Sequence, residues 1–588
     1  MTLTRSDIDA SGTTEGSGGR RWRLRATPNT DGLRRPDGSV PWPTAFSALL
    51  AHRGVHTLEE ARNYLGAPGD LTDPRLMPNL AVAVARLAQA CRAGEQVAVF
   101  GDFDVDGITA TTILSEGLTA LGARPLPYIP DRFTEGYGPN VAAIASLHAR
   151  GATVLVTADC GTSAVPEVAS ANALGIDVIV IDHHTVPPVL PDALAIVNPK
   201  LGVWTDEAGA EREYGSEPAA CGVAYKVIHD LHDALGVPYD ADPHRALVAL
   251  GTVCDLAPML FENRDLVRLG MDALAKSPRP GLRALAAVAG VDLADIDADM
   301  CGWVLGPRLN AAGRMEHANI ALELLMTASP ERAQELAGSL EALNRRRRDE
   351  TTAACELATA TLTPEEQTAP IVLFAHPEMS LGIVGLVASR LAEQFRRPAI
   401  VAQIDEATGE ARASCRSIPE FDITALLRRN AHLFKRFGGH RAAAGFTIDA
   451  ARLDEVRAAL LVDAAGHLDA SSLVPTIDID VELPIAAVNS DLLKWLARLG
   501  PHGIGNAVPK FLARGVTVQD VRIVGQDGTH LQFKLREARV TWQAIAFRLA
   551  EHAVPAGESA DIIYTFRRDS LRGTVQLEVL DLRPAQAD

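Results

Sequence analysis

Three short runs of β-branched residues, QVAVF (96–100), TVLVTA (153–158) and IDVIVI (176–181), separated by Ala-rich helical stretches, restrict this chain more than any other feature. Apolar runs of five or six residues without polar alternation fit strands buried on both faces, and their alternation with helical stretches predicts a parallel sheet built from crossover units. The fold class that follows is α/β. What comes after each run is as restrictive: GDFDVDG (101–107) after the first, Asp159 in TADCG after the second, and Asp182, His183 and His184 after the third. Ligands of open α/β sheets gather beyond the carboxyl ends of the strands, so three strands deliver carboxylates and imidazoles to one edge.

Each of these residues has a bland reading by itself. An Asp between strand and helix is usually an N-cap, a strand-end Asp is a frequent turn former, and buried His pairs are common. Three aspartates in five residues exceed what capping needs, and alternate residues of the turn point the same way, so Asp104 and Asp106 converge. The segment HRALVALGTVCDLAPM adds Asp255 after a helix. Mostly hard oxygen donors with one or two imidazoles favour Mn²⁺ or Mg²⁺ over a structural zinc site. Two such ions, sharing a bridging carboxylate and a water, hydrolyse a phosphoester without a covalent protein nucleophile.

Composition bounds the rest. At 588 residues the chain exceeds one hydrophobic core, and three or four domains are expected. The net charge of −18 argues against a surface basic all over, so any contact with phosphates must be local or follow metal loading of the carboxylates. Only seven of the 56 basic residues are Lys, and Arg suits bidentate phosphate contacts. Seven scattered cysteines without a C-x-x-C pair support neither a disulfide framework nor a zinc site. No Gly-Lys-Ser/Thr phosphate loop supports ATP-driven activity. There is no apolar run near the ~18 residues of a membrane span. The first twenty residues lack an apolar signal core and read as a disordered tail, which makes the cytoplasm the expected location.

The expected domain plan is a tail over 1–20, an N-terminal extension over 21–90 packed on the first α/β domain, that domain over 91–328, and a connector helix over 329–363. A smaller α/β domain over 364–465 and a β-rich barrel or sandwich over 471–588 complete it. In the last region PTIDIDVEL, VTVQDVRIV, THLQFKL, VTWQAIAF, ADIIYTF and TVQLEVLDL read as short strands. Phe511, Phe533, Trp542 and Phe547 there are candidates for base stacking, with core packing the commoner fate of each.

GDFDVDG, TADCG, VIDHH, GTVCDLAPM and GPRLNAAGRM occur in the order of the DHH phosphoesterases, and SLGIVGLVASRL (380–391), ASCRSI (413–418) and FGGHRAAAGFTI (437–448) resemble the companion DHHA1 domain. LGPHGIGNAVPKF (499–511) and the β-rich tail resemble the OB-fold region of the RecJ family, exonucleases of single-stranded DNA. The resemblance implies metal binding by Asp104, Asp106, Asp159, His183 and Asp255, with Asp159 as the bridge, His184 facing the scissile phosphate, and Asp102 and Asp182 orienting ligands. Phe100 stands where some members carry a metal-binding His. The resemblance further implies that Arg308, Asn310 and Arg314 hold the scissile and neighbouring phosphates, with Arg308 and His184 in the catalytic group. Arg132, Ser414 and Arg416 would read a 5′-phosphate, and His440 would lie where Gly438 and Gly439 let a backbone approach the strand. Arg345 to Arg348 read as a solvated helix face, with backbone tracking as the alternative.

The implied function is 5′-to-3′ hydrolysis of single-stranded DNA with two Mn²⁺ or Mg²⁺ ions, in recombination and repair. The implied partners are single-stranded DNA, a single-strand-binding protein and a RecQ-like helicase, with the chain acting as a monomer away from membranes. The alternatives are a DHH/DHHA1 oligoribonuclease or cyclic-dinucleotide phosphodiesterase, which needs no β-rich domain, and a non-catalytic replication scaffold, which would have lost its ligands.

Overall fold

Val97 and Val99 of the strand Gln96–Gly101 enter one apolar core, while Ala98 and Phe100 enter another. The same split separates Val154 and Val156 from Leu155, and Ile179 and Ile181 from Val178 and Val180. Both faces of the sheet are therefore covered, which is why these runs carry no polar alternation. Five strands, all parallel, lie in the order Arg124–Tyr128, Gln96–Gly101, Ala152–Ala158, Asp177–Ile181 and Ala195–Val197. Helices Leu80–Ala93, Val105–Ala120 and Ala220–Leu235 fill the first core. Val141–Ala149 and Val165–Ala173 fill the second.

The computed structural model describes residues 13–16, 19–69, 71–205, 209–469, 473–525, 527–568 and 574–585. The chain divides into two units: one runs from Pro68 to Leu461 and includes 501–506, and the other combines the residues up to Ala67 with 462–500 and 507–588. The first unit holds the parallel sheet, the connector and a second sheet. The connector is the helix Pro330–Thr361, started where the Ser329 hydroxyl accepts the Arg332 N–H and Pro330 takes the first turn. Beyond it, five strands lie in the order Val372–His376, Ala399–Asp405, Glu410–Arg416, Ala443–Asp449 and Arg436–His440. The first pair is parallel and the rest are antiparallel.

In the second unit, strands Phe511–Val524, His530–Glu537, Val540–Ala546, Val575–Pro584 and Ser559–Arg568 pair in that order, and the last returns to the first. The sheet closes into a five-stranded, OB-like barrel. Phe511 and Phe533 are buried in its core, the Trp542 indole donates to the Ile485 carbonyl, and Arg567 lies over the Phe547 ring. Core packing thus accounts for Phe511 and Phe533, while Trp542 and Phe547 are half-buried.

The N-terminal extension differs from its expected place. Trp42, Phe46 and Leu49 share a core with Leu483, Leu492 and Phe511, and the Trp42 ring lies 5.8 Å from Phe46 and 5.7 Å from Trp495. Arg21–Leu24 pairs in parallel with Thr476–Ile479. A small barrel encloses little apolar volume, and these bulky side chains extend its core. Only the part from Pro68 onward shares a unit with the parallel sheet. Of the expected tail over 1–20, most lies outside the described residues, but Thr13–Glu15 pairs antiparallel with Arg21–Leu24. No described helix is long and apolar enough to cross a membrane.

Candidate metal centre

At the carboxyl end of Gln96–Gly101 the chain turns at once into the helix Val105–Ala120, and Asp104 is its N-cap. One Asp104 oxygen accepts the N–H groups of Asp106 and Gly107 at 2.9 and 3.1 Å. The bland reading of this residue is therefore also true, and it leaves the second carboxylate oxygen to face the site. A Cβ on Gly107 would lie 2.6 Å from the Asp102 backbone, so only glycine lets the helix start this close. Asp106 is fixed by the start of Ala220–Leu235, whose Ala220 and Cys221 N–H groups donate to it at 2.7 and 2.9 Å. Asp159 sits at φ +65°, a left-handed conformation that a residue other than glycine adopts at a cost, and such strain concentrates at functional sites. Asp255 caps the carboxyl end of Asp242–Cys254.

These side chains converge on His183. Its Nε2 lies 3.2 Å from Asp159 and 3.8 Å from Asp106, and its Nδ1 lies 3.8 Å from Asp255. Three overlapping sets have donor atoms within 4.8 Å of one another: Asp159, His183 and His184; Asp106, His183 and Asp255; and Asp102, Asp104 and Asp159. The Asp102 Oδ1, Asp159 Oδ1 and His183 Nε2 atoms are buried with no hydrogen-bond partner. Burial, then the charge of Asp104, pushes Asp102 up to about 8 and Asp106 up to about 6. Burial, then Asp106, pushes Asp255 up to about 9 and Asp159 well above the carboxylate range. Burial and then His184 push His183 down to about 3. A neutral imidazole among buried carboxylates that cannot all ionise alone is the electrostatic signature of a site made for cations. The donor set, mostly oxygen, fits hard divalent ions.

Asp182 is hydrogen-bonded to both histidines. Its oxygens accept the His183 and His184 N–H groups at 2.8 and 3.1 Å, the His184 Nδ1–H at 2.7 Å and the Thr162 N–H at 3.1 Å. Burial opposes ionisation, but the hydrogen bonds and charge of His184 together with the Thr162 hydrogen bond outweigh it and hold Asp182 below the usual range. Asp102 is placed differently. It accepts no bond from another donor of the cluster and stands with Asp104 and Asp159, so the geometry counts it among the donors. Phe100 is fully buried against Tyr128, ring centroids 5.2 Å apart, and offers no ligand.

The phosphate-binding candidates differ in their partners. Arg132 lies 3.8 Å over the Phe103 ring with its Nε buried and unpartnered. Arg416 donates to the Ser414 hydroxyl at 2.9 Å and the Cys415 carbonyl at 2.8 Å. Burial, then the nearby Arg132, Arg347 and Arg416, pushes Arg314 down to about 9. Among the described residues none of Arg132, Arg314 and Arg416 has a carboxylate partner. Arg308 differs: its Nε donates to Glu341 at 2.7 Å and its Nη1 to the Val304 carbonyl at 2.7 Å. Glu341 of the connector thus pairs with Arg308 through its Nε. Asn310 is half-buried on the same helix, Gly306–Met315. His440 is exposed, with His184 and Lys200 in its electrostatic surroundings. Gly439, at φ +139°, is required by the facing strand, since its Cβ would lie 2.4 Å from Ala444 Cα. Only Gly438 has open space before it.

Two residues escaped sequence reasoning. The Tyr137 hydroxyl donates to the Asp159 carbonyl at 3.0 Å, and its ring meets Phe103 and His184 edge-on. Its signal was an aromatic residue between two glycines in EGYG. Asn198 donates to the His184 carbonyl at 3.0 Å and to Thr162 at 3.2 Å, ahead of a proline in VNPK.

Known proteins match this arrangement. Models of the DHH family N-terminal domain, the DHHA1 domain and the RecJ OB domain match residues 96–252, 368–462 and 479–581. The single-stranded-DNA-specific exonuclease RecJ of Bacillus subtilis is 34% identical over 532 residues, covering 90% of this chain and 66% of that protein. The chain thus spans about two thirds of that relative's length. The protein of the same description from Dickeya dadantii is 33% identical over 586 residues, 94% of this chain and 98% of its own. The crystal structure of RecJ in complex with Mn²⁺ from Thermus thermophilus matches with a TM-score of 0.81 at 30% identity, over 96% of this chain and 80% of that one. Together with the ordered ligand-bearing strands and the closed barrel, these matches establish that the chain belongs to the RecJ family of DHH/DHHA1 phosphoesterases.

Proposed function

We propose that this chain, a metal-dependent hydrolase of ester bonds, removes nucleotides in sequence from the 5′ end of single-stranded DNA, with two divalent ions, in recombination and repair. The observation that carries the reading is the pairing of a buried, unsatisfied carboxylate and imidazole cluster with guanidiniums that, among the described residues, have no ion-paired carboxylate. The description of its relatives as single-stranded-DNA-specific exonucleases supplies the substrate class.

Asp102, Asp104, Asp106, Asp159, His183 and Asp255 would hold the ions, Mn²⁺ or Mg²⁺, with Asp159 shared between them. Bound there, such ions lower the pKa of water and take up charge on a phosphoryl group. The chain's own residues do the rest. Asp182 fixes His184 through Nδ1 and leaves Nε2 as the ring nitrogen available to substrate. Arg314, without a carboxylate, is suited to the scissile phosphate with Asn310. Arg132, Ser414 and Arg416 supply charge-assisted donors for a terminal phosphate, which gives direction to a reaction that has none of its own. An enzyme confined to single strands draws its substrate from proteins that hold or unwind DNA: a single-strand-binding protein and a RecQ-like helicase. The chain would act as a monomer in the cytoplasm.

The test is a hydrolysis panel of single-stranded DNA, duplex DNA, RNA and a cyclic dinucleotide with Mn²⁺ and with Mg²⁺. Preference for single-stranded DNA supports the reading. Preference for short RNA or the cyclic dinucleotide would favour the phosphodiesterase alternative, and inactivity on all four a scaffold.

A further inference from the structure

The connector helix Pro330–Thr361 carries four successive arginines, and their side chains diverge. Arg345, Arg346 and Arg348 are exposed; Arg346 lies 3.5 Å from both Glu316 and Glu350, and Arg348 lies 3.8 Å from Glu341. Arg347 lies on the inward face with buried Asn344 and Thr351, three positions before it and four after. Its Nη2 donates to Asn344 at 2.9 Å, and its Nε is buried with no partner.

That stretch of helix meets two others. Arg346 donates to the Met315 carbonyl at 2.8 Å, at the end of Gly306–Met315, and Arg390 of Val384–Phe395 donates to the Thr352 hydroxyl at 3.1 Å. Arg314 lies on the first of these helices, and Arg416, the last residue of the strand Glu410–Arg416, meets the start of the second. A Cβ on Gly382 would fall 1.8 Å from the Arg314 carbonyl, and one on Gly385 2.8 Å from Arg416 Nη2. Arg347 therefore stands in the electrostatic surroundings of Arg314 together with Arg416, and among the described residues neither Arg314 nor Arg416 is ion-paired with a carboxylate. Like charges held together at partial burial repel one another, and an anion relieves them.

We infer that Arg347 grips the phosphates of the single strand beside Arg314, extending the end-reading pocket of Arg132, Ser414 and Arg416 onto the connector helix. The inference rests on that pocket as proposed above, and it singles out one arginine from a run whose sequence treats all four alike.

The experiment measures binding of a 5′-phosphorylated oligonucleotide by fluorescence anisotropy, with the full chain and a chelator to prevent hydrolysis, across a range of salt. Arg347→Ala should weaken binding about ten-fold, the usual effect of losing a hydrogen bond to a charged group. It should also reduce the slope of log affinity against log salt by about 0.7, the value of one released phosphate contact on a single strand. Arg347→Lys should restore the slope and only part of the affinity, lacking the planar fork. Arg332→Ala, on the same helix and paired with Glu323 at 2.7 Å, should change neither. Unchanged affinity for Arg347→Ala would overturn the inference, and so would a loss without a change of slope, which marks a structural role. Arg416→Ala separates the two readings. If its loss of affinity is equal for 5′-phosphoryl and 5′-hydroxyl strands, the pocket itself is misplaced; if the loss is confined to 5′-phosphoryl strands while Arg347→Ala is silent, only Arg347 is misassigned.

Discussion

Gly385 offers a way to loosen the end-reading pocket without removing any of its groups. It lies in the first turn of Val384–Phe395, and a Cβ there would sit 2.8 Å from Arg416 Nη2 and 3.2 Å from Ser414 Oγ. The nearer atom is the tip of a flexible side chain, so Gly385→Ala should fold, with the guanidinium retreating by roughly half an ångström to reach ordinary contact. Alanine also favours a helix over glycine, by about 1 kcal/mol in the interior and less in the first turn. Stability should therefore hold or rise while the grip weakens. If the displaced group loses about 1 kcal/mol of a charge-assisted bond worth roughly 1.5–3 kcal/mol, the rate on 5′-phosphorylated strands falls about five-fold. Strands with a 5′-hydroxyl should be hydrolysed almost as before. Initial rates on the two substrates, with a thermal melt of each protein, decide the matter. Equal losses on both ends, or no loss with an unchanged melt, would refute the placement of Arg416.

Asp159→Asn should reduce hydrolysis below about 1% of wild type, since two-metal sites supply several kcal/mol of transition-state stabilisation, and should leave strand binding largely intact. Asn is the informative replacement because it tolerates the left-handed backbone at φ +65°; substantial residual activity would remove Asp159 from its bridging role. Far from the site, burial alone would raise Glu116, but hydrogen bonds from Arg279 and His244 outweigh it and hold the carboxyl at about 2. A depressed carboxyl contributes stability that is present above the unfolded pKa of about 4.5 and lost as pH falls through about 2. Urea unfolding should therefore show Glu116→Gln destabilised on the order of 2 kcal/mol at pH 7 and progressively less between pH 4.5 and 2; a pH-independent difference would contradict the linkage.

The catalytic half of this fold was legible because local signals and tertiary role coincide there. Buried parallel strands leave a continuous apolar run, and a turn at their ends must carry whatever chemistry the edge performs, so Asp104, Asp106, Asp159, Asp182 and His183 announced themselves. Residues whose partners are remote did not. Trp42 and Phe46 look the same in sequence whether they pack on a parallel sheet or beside Trp495, more than four hundred positions away. Arg308 and Arg314 share one motif, and only the arrival of Glu341 on another helix distinguishes the guanidinium paired with a carboxylate from the other. Asp102 and Asp182 both flank stronger candidates; which one orients a histidine depends on the direction its carboxylate takes after the strand ends.

Direction of digestion is the central claim, and end-labelling reads it most directly. A single-stranded oligonucleotide labelled at its 5′ end, and the same strand labelled at its 3′ end, are incubated with the chain and Mn²⁺, and products are sized over time. The 5′ label is expected to appear at once as a mononucleotide while the 3′-labelled strand shortens through a descending ladder. Release of the 3′ label as mononucleotide before the 5′ label would contradict a pocket that reads the 5′ end.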